Sequence, residues 1–291
     1  MRLTVRVPAT VANLGPGFDC FGLAVDLCNE VTINTEAESG VSWEGEGAEE
    51  LPTDGSDMVS RAIRHVAELA VETRRHALPP FHLHGLNRIP LERGLGSSAA
   101  AAVAGVVLAY RILDLGDPPA QTTFSIAAEI EGHPDNAAAA IFGGFTIAMA
   151  DGLVRRLDPH PDLRPALLVP LDVRLPTAEA RRALGDSFSR EDMVFNASHA
   201  ALTVVAVTHD PGLLFPALRD RIHQEVRLAL VREVRDTFER LAQAGIPVCV
   251  AGAGPSLLAF DSKGSTVPDP GPGWRVLRVP LHAGGAAIVT V

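Results

Sequence analysis

The spacing of hydrophobic and polar residues predicts a run of strands followed by helices in the first half of the chain. Residues 3–7 alternate between apolar and polar side chains, which predicts a half-buried strand. Apolar residues at helical spacing predict helices over residues 57–77 and 118–132. The remaining predicted elements of this half are strands at 21–35, 41–47 and 81–89 and a short helix of small residues at 134–144.

The pattern changes near residue 151. Short strands are predicted at 153–157 and 166–173, and helical segments lie between residues 177 and 244. Four further strands are predicted at 247–252, 256–260, 274–279 and 286–291. This order predicts a second lobe in which helices cover an antiparallel sheet.

One stretch, "RGLGSSAAAAVAGVVLAY" at residues 93–110, has no polar face after its glycines and serines. A helix that is apolar all round is buried, so its amino end points into the protein and its unpaired backbone N–H groups need partners. Gly94 and Gly96 allow close backbone approach, and Ser97 and Ser98 stand where an N-cap is expected. The stretch is a candidate anion site, and a glycine turn that lets two elements pack closely is the alternative.

Net charge, apolar run length and cysteine spacing limit the classes of function that the chain can have. With a formal net charge of −10 at pH 7, a broad surface for nucleic acid or anionic membrane is not expected. The longest apolar run is too short to cross a bilayer and the start lacks a signal-peptide pattern, which predicts a cytoplasmic protein. Cys20, Cys28 and Cys249 lack metal-type spacing, which favours free thiols in a reducing compartment.

The chain has a single lysine, Lys263, in a loop-like segment far from the glycine-rich stretch. A Walker A lysine and a protein-kinase strand lysine are therefore excluded. Phosphate bound at the glycine-rich stretch would call for Mg²⁺, held by a carboxylate and a serine hydroxyl.

An acidic helix end, "AAEIEGHPDNAAAA", supplies candidate carboxylates. Glu129 and Glu131 lie on different faces of the helix, so at most one of them points into a given cleft. Glu129 shares a side with the apolar Ile126 and is the predicted metal ligand, with Glu131 as the alternative. If no ligand binds there, the same pattern indicates a solvated helix end capped by Asp135.

Polar residues near the start and arginines in the second half complete the candidate set. Asn13 and Asp19 flank the turn "GPG", which predicts either an Asx-type turn or a binding loop. Arg181 and Arg227 are suited to a carboxylate because a planar guanidinium makes two parallel hydrogen bonds. Either arginine alone is more typical of a solvated helix.

Three motifs in this order resemble the GHMP kinase superfamily: "PATVANLGPGFDCFGLAV", "PLERGLGSSAA" and "GAGPS". The first motif together with "EGHPDNAAAAIFGG" and the "PT…AR" and "DRIH" segments resembles its homoserine kinase family, nearly end to end. The resemblance implies an α+β, two-lobed fold, with a ribosomal-protein-like lobe over residues 1–152 and a ferredoxin-like lobe over residues 153–291. It also implies transfer of the γ-phosphoryl group of ATP to the hydroxyl of L-homoserine, in a cleft between the lobes.

The resemblance also implies roles for individual residues. ATP would be bound by Pro90, Leu91, Gly94, Leu95, Gly96, Ser97, Ser98 and Ala99. Mg²⁺ would contact Ser98 and Glu129. The amino-acid substrate would be bordered by Asn13, Asp19, His133, Asn136, Thr177, Arg181, Arg227 and Gly254, with Asp19 near its ammonium and the two arginines near its carboxylate. Asn13 and Asn136 would lie near the reacting hydroxyl, and Asn136 would act with Ser98 and Glu129 in catalysis.

Asparagine is not a useful proton acceptor, so the implied mechanism is catalysis by positioning and charge stabilisation. Two other functions stay open: a GHMP kinase for another small alcohol, such as mevalonate, a sugar or an amino alcohol, and a catalytically silent nucleotide-binding relative. Asp19 discriminates against mevalonate, which has no ammonium group. The oligomeric state is also open, and a homodimer is compatible with the sequence.

Overall fold

The structure, a computed structural model, describes residues 1–72, 78–262 and 264–289. The end of the predicted helix 57–77, Lys263 and the end of the predicted strand 286–291 lie outside these ranges. The strands, in chain order, are β1 (Arg2–Ala12), β2 (Phe21–Asn34), β3 (Gly40–Gly45), β4 (His82–Asn87), β5 (Phe145–Ala148), β6 (Val154–Leu157), β7 (Arg164–Pro170), β8 (Val248–Val250), β9 (Leu257–Asp261), β10 (Trp274–Leu277) and β11 (Ala287–Val289).

The helices pack against the two sheets. They are α1 (Met58–Glu72), α2 (Ser97–Ile112), α3 (Ala120–Glu131), α4 (Asp135–Phe142), α5 (Thr177–Arg182), α6 (Arg190–Thr208), α7 (Leu214–Ala217), α8 (Gln224–Leu230) and α9 (Arg232–Gln243). A 3₁₀ turn at Pro211–Leu213 precedes α7. Within the described ranges, no helix combines the length and the apolar character needed to cross a membrane.

The first sheet has the strand order β11-β1-β2-β4-β3, with β5 paired to both β2 and β6. Its strands are antiparallel except for the β3–β4 pair. The long β1–β2 pair shifts register between Pro8 and Ala9, since proline offers no N–H to the ladder and a bulge relieves the mismatch.

Helix α2 is the predicted all-apolar helix, and it is buried on nearly every side. Its packing against α1 is close: a Cβ added at Gly105 would lie 2.6 Å from the Cβ of Ala62. Such contact fixes the position of α1 relative to the amino end of α2, where the glycine-rich stretch ends.

The second sheet is the predicted antiparallel one, with the order β10-β7-β9-β8. Successive residues of β7 point to opposite faces, as the period of a strand requires. Leu168 packs with the helices α8 and α9, through Leu228 and Leu241. Leu167 and Val169 belong to the large core that includes the first sheet.

Two strands predicted for the second lobe belong to the first sheet instead. Residues 154–157 form β6, the hairpin partner of β5, and β11 pairs with β1. The predicted lobe boundary at residue 152 thus falls in the turn of a hairpin. A short alternating pattern predicts a strand but not its partner, and the local hairpin connection decides the pairing of β6.

Candidate active site

A cavity of about 670 Å³ brings residues from both halves of the chain together. Most of the predicted site residues line it, namely Asn13, Asp19, Pro90, Gly94, Leu95, Gly96, Ser97, Ser98, His133, Asn136, Thr177, Arg181 and Arg227. Glu131, the alternative to Glu129 as metal ligand, also lines it, as do Met58, Arg61 and Asp135, which were not predicted to lie in the site. One end of the cavity, formed by residues 94–98 and Glu131, contains the predicted anion site and is called the phosphate end for that reason. The opposite end is formed by Asp19, Arg181 and Arg227.

The loop at the phosphate end needs its glycines. Gly94 and Gly96 both have a φ of +71°, in the left-handed region. A Cβ at Gly94 would lie 2.1 Å from the carbonyl oxygen of Ala251, and one at Gly96 would lie 2.0 Å from Oγ1 of Thr10. No side chain larger than hydrogen fits at either position.

The serines do not cap α2, contrary to the prediction. Gly96 is the N-cap and no side chain caps the helix, so Ser97 and Ser98 are its first two residues. The left-handed conformation of Gly96 begins the helix at Ser97 without a side-chain oxygen. The N–H groups of the first turn, which have no partner within a helix, are therefore not taken up by a cap.

Hydrogen bonds from Thr10 and Arg93 hold the loop in place. The backbone N–H of Thr10 donates to the carbonyl of Leu95 at 3.1 Å. The buried guanidinium of Arg93 donates from Nε to the carbonyl of Pro170 at 2.9 Å and from NH2 to that of Leu171 at 2.8 Å. The phosphate end is thus tied to both sheets.

The carboxylate at the phosphate end is Glu131, not the predicted Glu129. Oγ of Ser98 donates to Oε1 of Glu131 at 2.6 Å, and burial raises the pKa of this carboxyl. The Glu129 side chain is 69% exposed and lies 3.8 Å from His65 in a separate cavity. The buried face of α3 is centred on Ala127, and Glu131 follows it by one helical turn, whereas Ile126 marks only the edge of that face.

The turn into α4 contributes Asp135 and Asn136 to the lining of the cavity. Asp135 is buried, and its Oδ1 accepts from the backbone N–H of Asn136 at 2.8 Å and from Nδ1 of His133 at 3.0 Å. Burial lowers the pKa of His133, but the hydrogen bond and charge of Asp135 outweigh this, and the net pKa is raised. Oγ1 of Thr10 donates to Oδ1 of Asn136 at 2.8 Å, which orients the Nδ2 amino group of Asn136 away from that contact.

The opposite end of the cavity holds a bidentate ion pair. Arg181 donates from NH2 to Oδ1 of Asp19 at 2.6 Å and from NH1 to Oδ2 at 3.0 Å. The hydrogen bonds to Asp19 raise the pKa of Arg181. One positive and one negative group therefore stand side by side, each about one-third exposed.

Arg227 is a buried cation beside that pair. It is 4% exposed, and NH1 donates to the carbonyl of Gly252 at 2.6 Å and to Nδ1 of His223 at 3.1 Å. Burial, with the nearby charge of Arg181, lowers the pKa of Arg227 to about 10, so it is positive at neutral pH. The guanidinium lies 5.3 Å from the centre of the Phe18 ring, a distance at which a cation and an aromatic face attract.

Asn13 lines the cavity, and its side chain is hydrogen-bonded within the chain. Its Nδ2 donates to the carbonyl of Gly252 at 3.0 Å, and its Oδ1 accepts from the backbone N–H of Asp19 at 3.0 Å. Both contacts shape the loop that carries Asp19. Asn13 itself has a φ of +73°, a conformation that asparagine tolerates better than most residues.

Three further predicted residues do not line the cavity. Leu91 packs over Gly47, where an added Cβ would lie 2.2 Å from its Cδ1. Ala99 is fully buried, although its backbone N–H belongs to the first turn of α2. Gly254 lies behind the loop, since a Cβ at Gly94 would come within 2.9 Å of its carbonyl oxygen.

Comparisons with known proteins identify the family of the chain. The model of the GHMP kinases N terminal domain matches residues 57–144, and that of the GHMP kinases C terminal domain matches residues 200–267. A homoserine kinase of Streptomyces avermitilis is 41% identical, covering 98% of this chain and 95% of that one. A homoserine kinase of Clavibacter michiganensis is 42% identical, covering 90% of this chain and 83% of that one.

A solved structure extends the likeness to the whole fold. The crystal structure of homoserine kinase from Cytophaga hutchinsonii superposes with a TM-score of 0.81 at 25% identity, covering 99% of this chain and 97% of that one. The predicted α+β class is confirmed, as is the predicted membership of an ATP-dependent kinase family. The chain therefore belongs to the homoserine kinase family of the GHMP kinase superfamily.

Proposed function

We propose that this protein transfers the γ-phosphoryl group of ATP to the side-chain hydroxyl of L-homoserine, giving ADP and O-phospho-L-homoserine. The observation that carries the proposal is one cavity with two unlike ends. A helix start without a side-chain cap lies at the phosphate end, and the Asp19–Arg181 ion pair lies beside Arg227 at the other. A polyphosphate fits the first end and a zwitterion fits the second.

At the phosphate end, the backbone of residues 94–98 supplies N–H groups and the positive end of the α2 dipole. The dipole alone contributes about 0.3–1 kcal/mol, whereas micromolar affinity needs about 8 kcal/mol. Several charge-assisted hydrogen bonds of about 1.5–3 kcal/mol each are therefore required, and the first turn of α2 offers several donors.

The donor set beside the loop fits Mg²⁺. Ser98 and Glu131 place a hydroxyl and a carboxylate oxygen within 2.6 Å of each other, and magnesium prefers oxygen ligands. Burial raises the pKa of Glu131, so the ionised carboxylate gains from a nearby cation. When bound there, Mg²⁺ would neutralise phosphate charge and orient the phosphates.

At the opposite end, an amino acid can replace the internal ion pair with two pairs of its own. Its carboxylate fits Arg181 and Arg227, and its ammonium fits Asp19, because both groups of the substrate sit on one carbon atom. Arg227 is buried and its Nε has no hydrogen-bond partner among the described residues. A carboxylate without an ammonium, as in mevalonate, would leave Asp19 uncompensated, which favours an amino-acid substrate.

Asn136 lines the cavity beside the glycine loop, where a Cβ at Gly96 would lie 3.1 Å from its Oδ1, and it has the chemistry to orient the reacting hydroxyl. Because Thr10 occupies Oδ1, the amino group of Asn136 is the part that can donate to a substrate oxygen. Asparagine accepts no proton, and a loose phosphoryl-transfer transition state makes little demand on a base. We infer that Asn136 acts by positioning the hydroxyl, and that groups at the phosphate end stabilise the negative charge of the phosphates.

We also propose that the protein is cytoplasmic. The three cysteines, all within the described residues, are free, which supports a protein of the reducing cytoplasm.

The test is ADP release by the purified chain with ATP and Mg²⁺, comparing L-homoserine with L-threonine, L-serine and mevalonate. We expect strong turnover with L-homoserine and a product whose mass has grown by one phosphate. Asn136→Ala should lose turnover while it keeps ATP affinity, and Asn136→Asp should acquire a pH dependence that the parent lacks. Preference for another alcohol would overturn the substrate, and ATP binding without any turnover would indicate a silent relative.

A further inference from the structure

The phosphate end of the cavity has a charge requirement that backbone groups meet only in part. The phosphates of a nucleoside triphosphate carry several negative charges, and many phosphate loops place a lysine against them. The single lysine of this chain, Lys263, is far in sequence from the loop and lies outside the described residues. Among the residues that the structure describes, a positive side chain at the phosphate end can only be an arginine or a histidine.

Four arginines line the cavity, and three of them are engaged elsewhere. Arg93 gives two hydrogen bonds to backbone carbonyls, and its remaining nitrogen, NH1, is buried without a hydrogen-bond partner among the described residues. Arg181 is paired with Asp19, and Arg227 donates to a backbone carbonyl. The fourth, Arg61, is exposed. Among residues 1–72, 78–262 and 264–289, its guanidinium forms no hydrogen bond or ion pair.

Arg61 stands at the phosphate end. It lines the same cavity as Ser98 and Glu131, and it also borders the adjacent cavity that contains Glu129. Its positive charge has a small lowering effect on the pKa of Glu131, which burial raises. The two side chains thus share one cavity lining, with the guanidinium within electrostatic range of the Glu131 carboxylate.

The backbone that carries Arg61 is fixed. It lies in the first turn of α1, where its N–H donates to the carbonyl of the buried Asp57 at 2.9 Å. The carboxylate of Asp57 caps the same turn by accepting from the N–H of Ser60 at 2.9 Å. The close packing of α1 on α2 at Gly105 sets the position of the Arg61 backbone relative to α2 and the loop before it.

We propose that Arg61 binds the polyphosphate of the nucleotide and supplies the positive charge for which other phosphate loops use a lysine. A guanidinium suits this role, since its planar fork pairs with two phosphate oxygens at once. The inference rests on the proposed function only in taking the nucleotide to be ATP at this loop. It does not depend on which alcohol is phosphorylated.

The neighbouring Arg64 provides a matched control. It lies three residues further along α1, lines the adjacent cavity but not the one at the phosphate end, and donates to the carbonyl of Gly55 at 2.6 Å. Removing Arg64 changes the net charge and the helix surface as removing Arg61 does. It does not change the lining of the cavity at the phosphate end.

The experiment is calorimetric titration of the full chain with ATP and with adenosine, each in Mg²⁺ buffer and in Mg²⁺-free buffer with a chelator. For Arg61→Ala we expect ATP affinity to fall about ten- to a hundredfold in both buffers, with adenosine affinity unchanged. Arg61→Lys should recover part of the loss, and Arg64→Ala should bind ATP like the parent.

Three results would overturn the proposal: unchanged ATP affinity in Arg61→Ala, equal weakening of ATP and adenosine, or a loss confined to Mg²⁺ buffer. The last would mean that Arg61 acts only through Glu131. Homoserine phosphorylation by the parent chain is measured separately. A parent that binds ATP and leaves homoserine unphosphorylated contradicts the proposed function alone, and a parent that binds no ATP contradicts both.

Discussion

Because of His223, the free energy of unfolding should decrease as the pH is lowered below the ordinary pKa of histidine. A solvent-exposed histidine would have little effect on it in that range. The ring is fully buried, and Nε2 donates to the carbonyl of Gly15 at 2.7 Å. Nδ1 must then accept the hydrogen bond that Arg227 donates at 3.1 Å, which fixes one neutral tautomer. A second proton on Nδ1 would break this contact and set two cations together.

The magnitude follows from the pKa. Burial lowers the pKa of His223 from 6.5 to about 4, the charge of Arg227 adds to this, and Asp220 opposes it. Because the unfolded chain takes up the proton first, the contribution is fully present above pH 6.5 and is lost as the pH falls towards 4. At about 1.4 kcal/mol per pH unit, the loss amounts to about 3 kcal/mol of the free energy of unfolding.

The assay is urea unfolding of the parent and of His223→Gln, followed by circular dichroism in buffers stepped from above pH 6.5 to about 4. Glutamine offers an N–H and a carbonyl but does not titrate. Carboxyl groups titrate in the same range in both proteins, so the quantity of interest is the difference between the two pH slopes. Parallel slopes would refute the reasoning, even if the variant is less stable at every pH.

Three further variants test the cavity. Glu131→Gln should raise the Mg²⁺ concentration for half-maximal ATP turnover about ten- to a hundredfold, whereas Glu129→Gln should leave it unchanged because that carboxylate is exposed and faces another cavity. Arg181→Ala should weaken homoserine about tenfold or more and spare ATP, as measured by the two KM values; equal effects on both would contradict its place in the amino-acid end. Gly96→Ala should abolish ATP binding, because its Cβ would lie 2.0 Å from a hydroxyl oxygen on β1, while Gly116→Ala, with a similar φ and open space around it, should bind ATP normally.

The glycine-rich loop could be predicted from the sequence because its chemistry is tied to residue type. Gly94 and Gly96 stand where a left-handed φ and a close approach are needed, and only glycine satisfies both. An all-apolar helix after them could only be buried. The same logic does not extend to Ser97 and Ser98, since the glycine conformation sets the start of the helix and leaves the serines inside it.

Side-chain direction was harder to predict than position. The choice between Glu129 and Glu131 depends on where the centre of the buried face of α3 lies, and a single apolar neighbour such as Ile126 marks only its edge. Arg61 and His223 were not predicted at all. An arginine on an amphipathic helix has the same pattern whether it faces solvent or a cavity, and only the packing of α1 against α2 separates the two cases.

The pairing of β11 with β1 sets the order in which the protein can be completed during synthesis. Residues 287–289 emerge from the ribosome after the whole second sheet, yet they cover the edge of β1 at Thr4, Val5 and Arg6. Until then the nascent chain presents an unpaired strand edge, which is a template for association with other chains. The first sheet, although it is translated early, is finished last.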